Sequence, residues 1–158
     1  MADDGDYVLG TGDEEVERLG LQHIVWRSRA QDAWQRAGFT VGQTLLDVGC
    51  GPGHASADLA QLVGPQGRVL GVDRSRRFLD ALRGMARARG LNHLSARAVE
   101  LDEAALPPIM ADGAWCRWVL SFVKRPRDLL AIFSLIIMAA YTVVCRQAVS
   151  IFNHFQGV

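Results

Sequence analysis

The sequence predicts an α/β fold, a parallel sheet covered by helices on both faces. Two observations carry this. Short apolar runs alternate with longer stretches of helical periodicity along most of the chain, so each strand is followed by a crossover rather than a hairpin. The first of those runs, TLLDV over residues 44–48, opens directly into GCGPG, a bare loop of the kind such sheets place between a strand and its helix.

Taken in order, residues 13–39 (DEEVERLGLQHIVWRSRAQDAWQRAGF) carry apolar side chains at Val16, Leu19, Ile24, Val25, Trp26, Ala30, Ala33, Trp34 and Ala37. That spacing is roughly helical, with Gly38 as a stop, and Gly20 is a candidate break that would divide the stretch into two helices. Strand 44–48 follows, then a helix over HASADLAQLV ended by GPQG. RVLGVD reads as a second strand, and SRRFLDALRGMARARG as a helix with Ser75 as N-cap and Gly90 just past its end. LSARAVEL is a third strand, DEAALPP a connection, and GAWCRWVL a fourth strand. A further helix is expected from Pro126, and YTVVCR as a fifth strand. Residues 129–145 carry no charge, but Ser134, Tyr141 and Thr142 interrupt the run. A buried helix leading into a buried strand accounts for it better than a membrane span, which needs ~20 predominantly apolar residues.

The 158 residues suit one compact core, and 17 basic against 17 acidic side chains leave no net charge. Such a balance gives no basic footprint for nucleic acid. Arg74, Arg76, Arg77, Arg83, Arg87 and Arg89 are read as a solvated helix face. Cys50, Cys116 and Cys145 lack metal-ligand spacing, as do the four scattered histidines, so free, mostly buried thiols in a reducing compartment are expected and no metal. The first residues have neither a basic nor an apolar leader segment, and the expected location is cytoplasmic.

The glycine loop sets the chemistry. Its backbone can approach a ligand closely, and the helix that follows offers free N–H groups to an anionic group. Asp47, two residues before Gly49, would repel a pyrophosphate but would stabilise a cation. Asp73 ends the second strand, where an acid accepts hydrogen bonds from both hydroxyls of a ribose. The dinucleotide fingerprint would require glycine where this chain has His54. A ribose, an anionic group and a positive charge together describe S-adenosylmethionine, with its amino-carboxylate tail and sulfonium.

At this point the sequence resembles a family, the class I (Rossmann-like) S-adenosylmethionine-dependent methyltransferases of small-molecule type. LLDVGCGPG is similar to their first motif, VLGVDRS to their second, VELDEAALP to the adenine-side segment, and DGAWCRWVLSFVKRP to the fourth strand and its loop. The resemblance implies residues 1–40 as a helical cap and 41–158 as a cofactor-binding domain. It also implies that Gly49, Cys50, Gly51 and Gly53 receive the methionine part, that Asp47 holds its ammonium, and that Asp73 holds the ribose. Arg74 and Leu101 would lie by the adenine, with either Glu100 or Asp102 as the adenine-side acid. Arg117, an arginine inside an apolar strand, has to be paired or to face a polar ligand, and it is placed with the cofactor set. Trp118, Phe122 and Tyr7 are the candidate acceptor wall, with Gln22 joining Tyr7 in closing the site from the cap. No general base is legible.

After Pro126 the resemblance weakens, because the turn, helix and strands expected there are missing from IIMAAYTVVCRQAVSIFNHFQGV. An incomplete C-terminal sheet edge is therefore expected. The expected activity is methyl transfer by direct displacement to a small-molecule acceptor. A cofactor-binding or partner-binding remnant of the fold and a nucleotide-dependent oxidoreductase are the alternatives. No membrane partner is expected, and a homo-oligomer stays open.

Overall fold

The structure, a computed structural model, describes residues 12–101, 110–121, 123–124 and 126–127. Four strands, β1 (Thr44–Val48), β2 (Arg68–Asp73), β3 (Leu94–Ala98) and β4 (Gly113–Cys116), form one sheet in the order β3-β2-β1-β4 with every pairing parallel. The chain runs outward from β1 through β2 to β3, then returns to the other side of β1. Strand order thus reverses between β1 and β4, and that reversal opens a crevice at their carboxyl ends.

The side chains of the strands alternate between two cores. On one face Leu45, Val69 and Trp115 pack against three helices, α1 (Asp13–Arg36), α2 (His54–Val63) and α3 (Arg76–Ala88). On the other, Leu46, Val48 and Val72 pack with Val99, Ala111 and Val119. Among the described residues all three helices thus lie on one face. The helix expected from Pro126, the fifth strand and the weakened C-terminal region fall almost wholly outside the described residues.

Local chemistry explains the helices. Ser75 caps α3, its hydroxyl accepting from the Phe78 N–H at 3.3 Å, and Phe78, Leu79, Leu82 and Ala86 form the buried stripe. The arginines of this segment lie on the opposite side, as expected. Arg74, Arg76, Arg77, Arg87 and Arg89 are exposed, while half-buried Arg83 donates to the Ala96 carbonyl at 3.0 Å. Helix α2 is buried on nearly every side, which its small residues Ala55, Ser56, Ala57 and Ala60 permit. It brings one charge inside with it. Asp58 accepts from His23 at 3.0 Å and from both arms of the Arg27 guanidinium at 2.7 and 2.9 Å, fastening α1 to α2.

Three expectations need correction. Helix α1 runs unbroken through Gly20, which serves close approach: a Cβ there would sit 3.2 Å from His54 Nε2. Strand β3 ends at Ala98, opposite the last residue of β2, Asp73. Strand β4 ends at Cys116, opposite Val48, so residues 117–120 are not strand. Once β1 has turned into its glycine loop, β4 loses its neighbour on that side, whatever the apolarity of its next residues. Of the cysteines, Cys50 is buried and Cys116 half-buried, both thiols rather than disulfides, and Cys145 lies outside the described residues.

Candidate functional site

A cavity of about 360 Å³ lies at the carboxyl ends of β1, β2 and β4, where the strand order reverses. That is within the range of small-molecule sites, roughly 300–1,000 Å³. Its floor is the turn after β1. Gly49 has φ +64, and a Cβ there would stand 2.1 Å from Val119 Cγ2 of the segment after β4. Only glycine leaves room at this turn for the Val119 side chain. Gly51 sits on the wall and its N–H donates to Asp73 Oδ2 at 2.8 Å. Gly53, at φ +89, is the N-cap of α2 and lies off the cavity; a Cβ there would run into Leu82 Cγ at 2.4 Å. It serves the packing of α2 on α3.

Two acids face this space. Asp73 uses both carboxylate oxygens structurally, one toward Gly51 and the other accepting from the Ser75 N–H at 2.9 Å. Burial pushes its pKa up, against those two donors and the Arg74 charge. Asp47 is deeper, 2% exposed, with the Ser56 hydroxyl donating to it at 2.5 Å. Loss of water pushes its pKa up to about 7, while Ser56 and Arg117 pull it down and Asp73 adds to the rise. Burial likewise pushes the Cys50 thiol well up, so Cys50 is neutral and inert in the loop.

Arg117 lies one residue beyond β4 and on the cavity wall, rather than inside the strand. Its Nη1 is buried with no hydrogen-bond partner, and its pKa is lowered by burial, with Asp47 opposing. Trp118 takes φ +68, the one non-glycine residue with positive φ among the described residues. It is 44% exposed, so it is a wall and not a core tryptophan; Trp115 fills the core instead, edge-on to Trp34 at 5.4 Å.

The cavity therefore brings together Asp47, Gly49, Cys50, Gly51, Asp73, Arg74, Glu100, Leu101, Arg117 and Trp118 from the sequence reading, and Gln22 from α1. Asp102, Phe122 and Tyr7 lie outside the described residues. Val119 and Ser121, from the segment after β4, line it too, and sequence reasoning missed Arg18, Leu19, Pro52, His54, Ala55, Phe78, Trp115 and Val123, which also do. His54 had a signal, since it opens α2 directly after the glycines. Its ring stacks on His23 with centroids 5.9 Å apart, and burial lowers its pKa. Among the described residues no group of three or more His, Cys, Asp or Glu side chains could hold a metal ion, and no helix is long and apolar enough to cross a membrane.

Comparison with known proteins agrees with this geometry. A 2-phytyl-1,4-naphtoquinone methyltransferase of Thermosynechococcus vestitus is 33% identical over 141 residues, 87% of this chain and 57% of that protein. A demethylmenaquinone methyltransferase of Lactococcus lactis is 39% identical over 59 residues, 37% of this chain and 22% of that protein. The chain thus matches well under two thirds of either relative's length. Among solved structures, a SAM-dependent methyltransferase from Aquifex aeolicus superposes with TM-score 0.60 at 22% identity, covering 67% of this chain and 56% of that one. Coclaurine N-methyltransferase, bound to N-methylheliamine and SAH, gives 0.65 at 22% identity over 71% and 32%. A [4+2]-cyclase gives 0.59 at 25% identity over 69% and 40%. These likenesses establish the Rossmann-like α/β fold; the cyclase shows that the fold does not fix the reaction. The family model described as a methyltransferase domain matches residues 39–137, and the chain belongs to that family.

Proposed function

We propose that this protein transfers a methyl group from S-adenosylmethionine to a small-molecule acceptor. The observation that carries the proposal is the pairing of two acids of different burial beside one bare loop. Asp73 is oriented by the Gly51 and Ser75 N–H groups toward the cavity, and Asp47 is buried below it beside the unpartnered Arg117 Nη1. S-adenosylmethionine, when bound, supplies an electrophilic methyl carbon on a sulfonium sulfur.

The residues present fit that group. Asp73 retains acceptor lone pairs for the two ribose hydroxyls while its backbone donors fix its position. Asp47 pays for burial by holding a proton near neutral pH; a bound ammonium would restore its charge and supply the missing counter-ion. Arg117 Nη1 is placed to receive a carboxylate, which would satisfy a donor that is otherwise costly to bury. The uncapped N-terminus of α2, whose cap residue Gly53 offers no side chain, favours the same negative charge. Glu100, Leu101 and Arg74 lie on the wall near Asp73 and would flank the adenine, with the Glu100–Asp102 choice open.

In the displacement the acceptor atom gains the methyl carbon, the carbon–sulfur bond breaks, and the acceptor's proton leaves to water or a base. This chain's contribution is alignment and exclusion of water, worth up to ~7–11 kcal/mol when reacting atoms are held in line. Trp118 and Val119 form the wall toward which the acceptor would approach. The quinone methyltransferase relatives support an aromatic acceptor such as a reduced naphthoquinone. Incubation with methyl-labelled S-adenosylmethionine and a panel of hydroquinones, phenols and amines tests the proposal. Label should appear in an aromatic acceptor with stoichiometric S-adenosylhomocysteine; binding of the cofactor without transfer to any member would point instead to a cofactor-binding remnant.

A further inference from the structure

Asp47 reaches the cavity from the middle of the sheet, and the groups around it come from every element packed there. From the first turn of α2 the fully buried Ser56 donates its hydroxyl to Oδ2, which leaves Oδ1 for a ligand. From the segment after β4 the Arg117 guanidinium attracts the carboxylate through space, its Nη1 buried and unpartnered. From β2 Asp73 repels it, and in the glycine loop the Cys50 thiol stays neutral. The other titratable groups lining the cavity, among the described residues, are Arg18 of α1, paired with Glu15, His54 of α2, Arg74 and Glu100.

A carboxyl group so placed has two states that need no movement of the chain. As the acid it is neutral and can donate to the Ser56 oxygen; as the carboxylate it accepts from the Ser56 hydroxyl. The second bond is charge-assisted and about twice as strong, so Ser56 favours the ionised form. Burial favours the neutral one, and the two states balance at about pH 7. A cation brought to Oδ1 tips that balance.

We infer that binding of the cofactor's ammonium expels a proton from Asp47 to solvent, and that Ser56 is the positioning residue that sets the pH at which this happens. The inference rests on the S-adenosylmethionine reading above. Its sign follows from the competent state being the ionised one: affinity rises with pH through the folded value and levels off above it. A protein of this kind takes up its cofactor poorly in acid, although the glycine loop and Asp73 are unchanged.

The test is calorimetric titration of the full chain with S-adenosylhomocysteine at pH 6, 7 and 8. Each titration is run in two buffers of different ionisation enthalpy, and the difference counts protons. The control probe is 5′-methylthioadenosine, which keeps the nucleoside and thioether but has no ammonium. S-adenosylhomocysteine should release about nine-tenths of a proton at pH 6, about half at pH 7 and about a tenth at pH 8. Its affinity should rise about tenfold from pH 6 to pH 8, while the control releases none and binds evenly. In Ser56→Ala, checked for folding by its thermal transition, the midpoint should move up by about one pH unit. Binding of S-adenosylhomocysteine by the wild type without proton release and with affinity independent of pH overturns the coupling and leaves the cofactor reading standing. Equal release with the control traces the proton to another group and overturns it too. A folded Ser56→Ala that loses affinity equally at every pH, with no shift of midpoint, makes Ser56 a structural tie only and overturns its role. No binding of S-adenosylhomocysteine by the folded wild type overturns both readings.

Discussion

Replacing Asp47 with asparagine separates what the buried acid costs from what it does. In the folded chain Asp47 is 2% exposed and accepts from the Ser56 hydroxyl, a bond asparagine can keep. Burial moves its pKa from 3.8 up to about 7, with Ser56 and Arg117 resisting. Between those values the folded state holds a proton that the unfolded chain has released, so stability falls as pH rises through the window. The penalty is absent below 3.8 and complete above about 7. At ~1.36 kcal/mol per pH unit across that gap, it amounts to about 4 kcal/mol. The amide of the Asp47→Asn variant cannot ionise and escapes it. Urea unfolding of Asp47→Asn should therefore show a gain of about 3–4 kcal/mol over the wild type at pH 8, shrinking to under about 1 kcal/mol at pH 4. The proposed role of Asp47 as partner of the cofactor's ammonium further predicts that affinity for S-adenosylhomocysteine falls in the same variant. An equal difference at both pH values, or a variant less stable at pH 8, would refute the reasoning.

Other perturbations follow from single contacts. Gly49→Ala forces a Cβ to 2.1 Å from Val119 Cγ2 at positive φ, and should cost about 2–4 kcal/mol in denaturant unfolding and abolish cofactor binding. Asp58→Ala strips the partner from His23 and Arg27 and should cost about 2–4 kcal/mol at neutral pH. Burial would raise the Asp58 pKa, but hydrogen bonds from His23 and Arg27 overcome it and hold it below 3.8; its contribution is present above that value and disappears as pH falls through the folded value, so the gap to wild type should narrow in acid, read by thermal unfolding at pH 7 and 3. Trp118→Gly relieves a left-handed backbone and should stabilise the chain by about 1 kcal/mol in thermal unfolding while raising KM for the acceptor.

The parts of this molecule that are written locally were legible in the sequence. The Ser75 cap, the Gly90 end at φ +66 and the Gly64 stop of α2 each act within a turn, and the helix bounds followed from them. The ends of β3 and β4 were overextended because they are set by neighbours. The registers end where β2 ends at Asp73 and β1 ends at Val48, and Val99 keeps only the single hydrogen bond of its N–H to the Asp73 carbonyl. Gly20 was misread as a break because its reason, the ring of His54, is distant in sequence. The same division holds in the site. Asp47, Gly49, Gly51 and Asp73 sit at strand ends, where their place is implied by the pattern. Arg18, His54 and Phe78 reach the cavity from three different helices, and only the packing of those helices brings them there. Gly53, part of the same motif, also lets α2 pack closely on Leu82, a contact that its neighbours in sequence do not announce.

The most direct test of the account is calorimetric titration of the chain with S-adenosylhomocysteine, with NAD as control, on the wild type and on Asp73→Ala with its fold verified by circular dichroism. Micromolar binding of S-adenosylhomocysteine alone, lost in the variant, is the predicted result. A folded wild type that binds NAD instead, or that binds S-adenosylhomocysteine equally well without the Asp73 carboxylate, would contradict the assignment of this cavity.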